Sequence, residues 1–355
     1  MLQRISAQAG QREIQHIIKT HKIMNRRTLL KTGTLAGIVA LLPTSSLFAR
    51  ASEVVDTKDD KDFSGFRKLK LGDLDLYILS DGFIREENVN TYCPRANVTE
   101  LKNILKDNFR SQDYIDMAIN VLLVKKDNQL ILLDSGLGIF ADQNNGFLLK
   151  SLAKAGFIPN QITDVFISHA HPDHVGGLLD KNNQFIFPNA KYYISQIEYN
   201  FWMKATEKDF KNSGLIHELD FLRMFIPKVQ SILTTLKPKL GYYDYQKALF
   251  DDFTFVLAPG HTPGMTLTKI KSANEELMVV ADLIHSDVLL FPHPEWGFSG
   301  DTDLDIAISS RRKILTELAT TKTRTLCYHL PYTGLGYVKK SGSAFQWIQE
   351  AVFVP

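Results

Sequence analysis

Cysteine is nearly missing from this chain: Cys93 and Cys327 are the only two in 355 residues. Their scarcity excludes a disulfide framework and any cysteine-rich zinc site. Cys327 lies in the apolar run Thr325 to Tyr328, so two separate reduced thiols are expected rather than one bridge. Internal repeats and low-complexity tracts are lacking as well. An excess of basic charge is also absent once the first 51 residues are set aside. Those residues carry eight of the 41 Lys and Arg and one of the 39 Asp and Glu, which leaves 33 basic against 38 acidic residues. Phosphate backbones require a concentrated basic surface, so nucleic acid is not an expected partner.

The basic N-terminal stretch has its own reading. Asn25-Arg26-Arg27-Thr28-Leu29-Leu30-Lys31 is similar to a twin-arginine export motif, followed by the apolar run Leu35 to Leu42 and the cleavage-like triplet Ala49-Arg50-Ala51. That run is well short of the roughly 20 apolar residues needed to span a bilayer. Residues 1–51 are therefore expected to be a signal segment cleaved after Ala51, with Met24 as an alternative start of translation. The expected destination is the periplasm, without integral membrane association. Residues 52–65 are charged and poor in apolar side chains, as in a flexible tail, and residues 66–355 would form one domain.

With 44% hydrophobic residues, that domain has material for a large core. "LKLGDLDLYIL" (69–79) alternates like a half-buried strand, and "INVLLVKK" (119–126) with "QLILLDSG" (129–136) reads as a hairpin. Short strands are expected in "DVFISHA" (164–170), "KYYIS" (191–195), "FTFVLAPG" (253–260), "LMVVADL" (277–283) and "RTLCYHL" (324–330). Helical spacing marks 98–108, 146–155, 304–319 and 343–352. The alternation of strands and helices fits sheets covered by helices. Residues 196–249 stand out as a helix-like insertion rich in aromatics, among them Phe201, Trp202, Phe221, Phe225, Tyr242, Tyr243 and Tyr245. These rings either pack the insertion onto the body or line an apolar pocket above a site.

One stretch concentrates metal-ligand chemistry. "ISHAHPDHVGGL" (167–178) places His169, His171, Asp173 and His174 within six residues. In an extended segment alternate side chains share a side, so His169, His171 and Asp173 would converge while His174 is turned by the next element. Imidazole and carboxylate without sulfur suit zinc and related divalent ions. Four ligands on so short a segment close a single tetrahedron poorly, so a second ion is expected. Further ligands would come from His261 in "APGHTPG", Asp282 in "VVADLIH" and His329 in "CYHLP", each where an apolar run enters a loop. His217 and His293 read as ordinary surface or loop residues.

This ordered set, H-x-H-x-D-H with a later PGHTPG histidine, a strand-end aspartate and a final histidine, resembles the metallo-β-lactamase fold hydrolases from about Lys70 onward. The resemblance implies an α/β, four-layer αββα sandwich carrying the helical insertion. It implies that His169, His171 and His261 bind one zinc ion and Asp173, His174 and His329 the other, with Asp282 as the bridge. Asp134 in "LLDSG" would support the ligands. "DLIHSDVLLFPHPEW", "DTDLDIA…SRR" and "HLPYTGLG" are most similar to the group of N-acyl homoserine lactone lactonases and methyl-parathion-hydrolase-like enzymes. A hydroxide shared by the two ions would attack a small, neutral, partly apolar ester or lactone. Asp173 would relay a proton to the leaving oxygen. His285 stands where these lactonases often carry a tyrosine supporting the substrate carbonyl, a departure that leaves the role open, although an imidazole N–H would offer the same hydrogen bond. The reaction expected first is opening of N-acyl homoserine lactones, with phosphotriester or general ester hydrolysis as the alternative. An exported metal- or ligand-binding protein without turnover is the non-enzymatic one. Homodimerisation is left open.

Overall fold

Side chains alternate across β4 (Gln129–Leu133) as the period-2 pattern requires: Leu130 and Leu132 enter one core, Ile131 and Leu133 another. The same division runs through the neighbouring strand β3 (Ile115–Lys126), where Val121 and Leu123 oppose Leu122 and Val124. Both faces of the sheet are therefore buried, and helices must cover the outside. In the computed structural model the described residues are 65–352. They belong to the compact unit Asp60–Pro355. The expected signal segment and the tail up to Ser64 lie outside the described residues.

A seven-stranded sheet runs in the order β1 (Phe66–Leu71), β2 (Leu74–Glu86), β3, β4, β5 (Asp164–Phe166), β6 (Lys191–Ile194), β7 (Leu240–Tyr242). Strands β4 to β7 pair in parallel. A six-stranded sheet has the order β13 (Ala344–Gln349), β12 (Leu335–Ser341), β11 (Arg324–Leu326), β10 (Glu275–Val279), β9 (Thr266–Ser272), β8 (Phe253–Leu257). Their facing sides meet through Leu76, Ile78, Phe166, Phe253, Phe255, Ile270 and Leu326. The first sheet's outer side is covered by α3 (Leu148–Lys154) and the amphipathic α6 (Leu219–Leu236), and the second sheet's by α2 (Val98–Asp107) and α7 (Leu304–Thr321). Sheets inside and helices outside make the four-layer αββα sandwich. The shortest helices, α1 (Val89–Tyr92), α4 (Pro172–Val175) and α5 (Gln196–Trp202), lie in connections.

Three expectations change. The stretch 69–79 is a hairpin rather than one strand, because Gly72 takes φ +53° and a Cβ there would sit 2.5 Å from the Ser272 carbonyl oxygen. Residues 343–352 carry strand β13 instead of a helix. Phe345 and Trp347 share one face and pack toward the core, and β12 supplies the hydrogen-bonding partner that no local pattern reveals. The insertion is helical in α5 and α6, but it then returns as β7 to pair with β6, so part of it belongs to the sheet. The hairpin of β3 and β4 and the strands β5, β6, β8, β10 and β11 fall where they are expected. Among the described residues no helix is long and apolar enough to cross a membrane.

Candidate metal centre

Five strands deliver the site from their carboxyl ends at one edge of the sandwich. Asp134 follows β4, His169 follows β5, His261 follows β8, Asp282 follows β10 and His329 follows β11. After β5 the chain stays extended through His171 (φ −68°, ψ 156°), and Pro172 then opens α4, its fixed φ fitting the first helical position. Asp173 therefore belongs to a helical turn, not to the extended run with His169 and His171. It faces the same side as its neighbour His174. Gly176 and Gly177 let this turn approach the β4 loop, because a Cβ on either would sit 2.0 Å from the carbonyl oxygen of Leu137 or Ser135.

The structure brings all seven candidate ligands together, buried, in two groups sharing one carboxylate: His169, His171, His261 and Asp282, and Asp173, His174, Asp282 and His329. In the first group His261 Nε2 is 2.9 Å from His171 Nδ1, 3.2 Å from His169 Nε2 and 3.2 Å from Asp282 Oδ2. In the second, Asp173 Oδ2 is 3.4 Å from His174 Nε2 and 3.2 Å from His329 Nε2, which is itself 3.1 Å from Asp282 Oδ2. The edge of a tetrahedron with zinc–nitrogen bonds of the usual length is about 3.3 Å.

Hydrogen bonding at the far ring nitrogens shows which atoms face inward. His174 Nδ1 is 2.9 Å from Asp134, His261 Nδ1 is 3.0 Å from Asp301 and His329 Nδ1 is 2.9 Å from the Ala118 carbonyl oxygen. These partners only accept, so each Nδ1 carries a proton and Nε2 is the nitrogen turned into the site, where it gives its lone pair to a metal once any proton there has left. His174 Nε2 and Asp282 Oδ1 lie 2.9 Å apart, yet both are buried without a hydrogen-bonding partner. Buried polar atoms rarely go unsatisfied. Convergent buried ligand atoms without hydrogen-bonding partners fit a pair of divalent cations.

Charge says the same. Burial opposes ionisation of Asp282, but His174, His329 and His169 outweigh it and hold the carboxyl well below its ordinary range. Burial likewise opposes protonation of His329, while Asp282 and Asp173 raise it to about 10. The cage thus attracts positive charge, and a proton on His329 competes with a metal.

The support of this cage was only partly visible in the sequence. Asp134 fulfils its expected role: besides His174 it accepts from Ser168 N and Ser168 Oγ, both at 2.8 Å. Glu198 was missed. This fully buried carboxylate on α5 accepts from Ala170 N, Trp202 Nε1, Thr262 Oγ1 and Gly264 N, tying the HAH segment to the loop after His261. Asn120, also missed, donates to the carbonyls of Tyr328 and Leu330 on either side of His329. Each is one polar residue in an apolar stretch, and only the distant partners reveal the role.

His285 is buried, with its ring stacked on Phe298 at 3.6 Å and Nε2 3.1 Å from Asp282 Oδ2. Burial pushes it down to about 3, so the ring is neutral. A carboxylate only accepts, so the single ring proton goes to Asp282, and Nδ1 is left without a partner. The geometry therefore directs the imidazole N–H at the bridging carboxylate rather than at a substrate oxyanion. Several aromatics of the insertion have the first of the two expected uses, packing it onto the body. Trp202 and Phe225 are buried against His171, at 5.7 and 6.4 Å, and Tyr243 hydrogen-bonds the Ile167 carbonyl. Phe221 packs tilted against Phe225 and lines a cavity of about 730 Å³ with Leu215, Ile216, His217, Glu86 and Asn212, a cavity that none of the seven ligands lines. His293 stacks on Trp296 away from the ligands. Cys93 and Cys327 are both free and buried.

Residues 114–328 match the metallo-beta-lactamase superfamily, and the chain belongs to it. Among solved structures it is similar to AidC, described as a dizinc quorum-quenching lactonase in complex with the product N-hexanoyl-L-homoserine. Identity is 59% and the TM-score 0.81, over 82% of this chain and 99% of AidC. The hydrolase AbOPH of the beta-lactamase superfamily is 26% identical, with a TM-score of 0.75 over 83% of this chain and all of that one. A quorum-quenching N-acyl homoserine lactone lactonase, 15% identical with a TM-score of 0.51 over 74% of this chain and 94% of its own, shares the fold. No curated protein sequence matches.

Proposed function

We propose that this chain is a dizinc hydrolase that opens the lactone ring of N-acyl homoserine lactones. The observation that carries the reading is the complete, buried seven-ligand cage in a chain 59% identical to a dizinc lactonase across 99% of that enzyme. Two divalent ions, when bound, supply an activated water and a Lewis acid for the carbonyl oxygen. The protein's part is to hold the ligands, shape the approach and manage protons. Asp173 has its side chain within reach of both His174 and His329; held ionised, against burial, by these imidazoles, it would take the proton that the attacking water gives up and return it to the leaving ring oxygen as the C–O bond breaks. His285 fixes Asp282 through Nε2 and keeps Nδ1 free to accept from the substrate or a water. The pocket that opens beside His285 and His329, lined by Leu105, Phe109, Tyr114 and Val288, is the approach that the structure offers to the substrate.

The test is kinetic. Zinc-loaded protein spanning residues 52–355 is given short- and long-chain acyl homoserine lactones and an activated phosphotriester. Ring opening, followed by acid release, is expected to be the fastest reaction. Faster phosphotriester turnover would make that chemistry the main activity, and zinc binding without turnover of either would leave a binding protein. The twin-arginine-like segment supports export to the periplasm as a second element of this reading. Replacing Arg26 and Arg27 together by Lys should leave the protein in the cytoplasmic fraction, and unchanged export would refute it.

A further inference from the structure

The stretch "DTDLDIA…SRR" places two charged residues that the reaction itself does not use. Arg311, on α7, is completely buried. Its Nε donates to the Leu283 carbonyl at 2.7 Å, one Nη donates to the Pro294 carbonyl at 3.4 Å and the other to Asp301 Oδ2 at 3.0 Å. Asp301 Oδ2 also accepts from Phe298 N at 2.9 Å, while Oδ1 faces His261 Nδ1 at 3.0 Å. One guanidinium therefore anchors the carboxylate behind His261 and the carbonyl next to Asp282.

His261 belongs to only one of the two ligand groups. The other group has its own supporting carboxylate, Asp134, held on Ser168 by a backbone N–H and a hydroxyl. The Ser168 hydroxyl also lies 3.1 Å from His169 Nδ1, so this support reaches both groups, whereas Asp301 contacts His261 alone among the seven ligands. His261 rests on a carboxylate clamped by a buried cation, and His174 on a carboxylate held by neutral donors. A carboxylate accepting from Nδ1–H fixes the ring's tautomer and orientation and raises its basicity at the metal-facing nitrogen. A guanidinium on the opposite oxygen prevents the carboxylate from rotating away, and its planar fork suits this better than a lysine ammonium.

We propose that Asp301 and Arg311 form a positioning pair that sets the metal affinity of the His169, His171 and His261 group separately from that of the Asp173, His174 and His329 group. The inference rests on the metal-centre reading but not on the identity of the substrate.

The test titrates metal-free protein with zinc against a competing chelator, and crystals grown at one and two equivalents assign occupancy to each group by anomalous scattering. In Asp301→Asn, affinity at the His261 group should fall by about 10- to 100-fold, the range for removing a supporting partner of a ligand, with the other group changing less than about threefold. Asp301→Glu keeps the charge for Arg311 and is the variant to use if the Asn protein does not fold. It should weaken the His261 group by less than tenfold, yet more than it weakens the other. Equal weakening of both groups, weakening of neither, or weakening of the wrong one in the folded variants overturns the inference. A wild-type chain that fails to take two ions would instead overturn the metal-centre reading.

Discussion

Asp282 is the side chain on which both halves of the centre depend, and Asp282→Ala isolates that dependence. Its Oδ2 lies 3.2 Å from His261 Nε2 and 3.1 Å from both His329 Nε2 and His285 Nε2, and its Oδ1 is 2.9 Å from His174 Nε2. Truncation leaves each four-residue group with three ligands and removes one of the two carboxylates that offset the charge of two divalent ions. Losing the partner of a ligand costs 10- to 100-fold in affinity, so losing a ligand should cost at least about 100-fold at each site. That is about 2.8 kcal/mol per ion. Dialysed variant protein should therefore hold well under one zinc per chain by elemental analysis. Turnover of an acyl homoserine lactone should fall by at least about a thousandfold, because the chemistry needs both ions together. Circular dichroism should still report the sandwich, whose inter-sheet core lies elsewhere. A variant that keeps two zinc ions and wild-type turnover would refute the bridging role.

In His285→Phe the apolar ring retains the stack on Phe298 but loses the hydrogen bond to Asp282; zinc content should stay near two per chain while kcat falls about 10- to 100-fold, and an unchanged kcat would remove His285 from the mechanism. Glu198→Gln turns an amide toward donors that a carboxylate satisfied, and it should destabilise the fold by about 2–3 kcal/mol in chemical denaturation; an unchanged midpoint would contradict the proposed tie. In metal-free protein His329 is raised from 6.5 to about 10, so its contribution to stability is complete below pH 6.5 and disappears as pH rises through about 10. The melting temperature of metal-free protein should fall over that window, whereas zinc affinity should rise with pH as the competing proton leaves; a flat profile without metal would refute the first part.

The sequence carried the ligand chemistry further than it carried the fold. His169, His171, Asp173, His174, His261, Asp282 and His329 were identifiable because metal-ligand side chains are conspicuous where an apolar strand enters a loop. Strand β13 was not identifiable, since six residues with two aromatics satisfy a helical or an extended pattern equally well until β12 lies beside them. Glu198 and Asp301 were invisible for a related reason. A carboxylate's role depends on which donors surround it, and those donors lie 28 to 66 residues away for Glu198 outside its own helix, with Arg311 in the next element for Asp301.

By itself the sequence determined which strands could be buried on both faces and which side chains could bind a metal, because periodicity and ligand type are local properties. Only the tertiary structure decided how seven ligands divide into two groups, that Asp173 turns with His174 on a helical turn, that His285 spends its proton on Asp282, and which buried charges support the cage. Those outcomes depend on strand ends brought to a common edge by pairing and packing between residues far apart in the chain, and no local pattern encodes such distances.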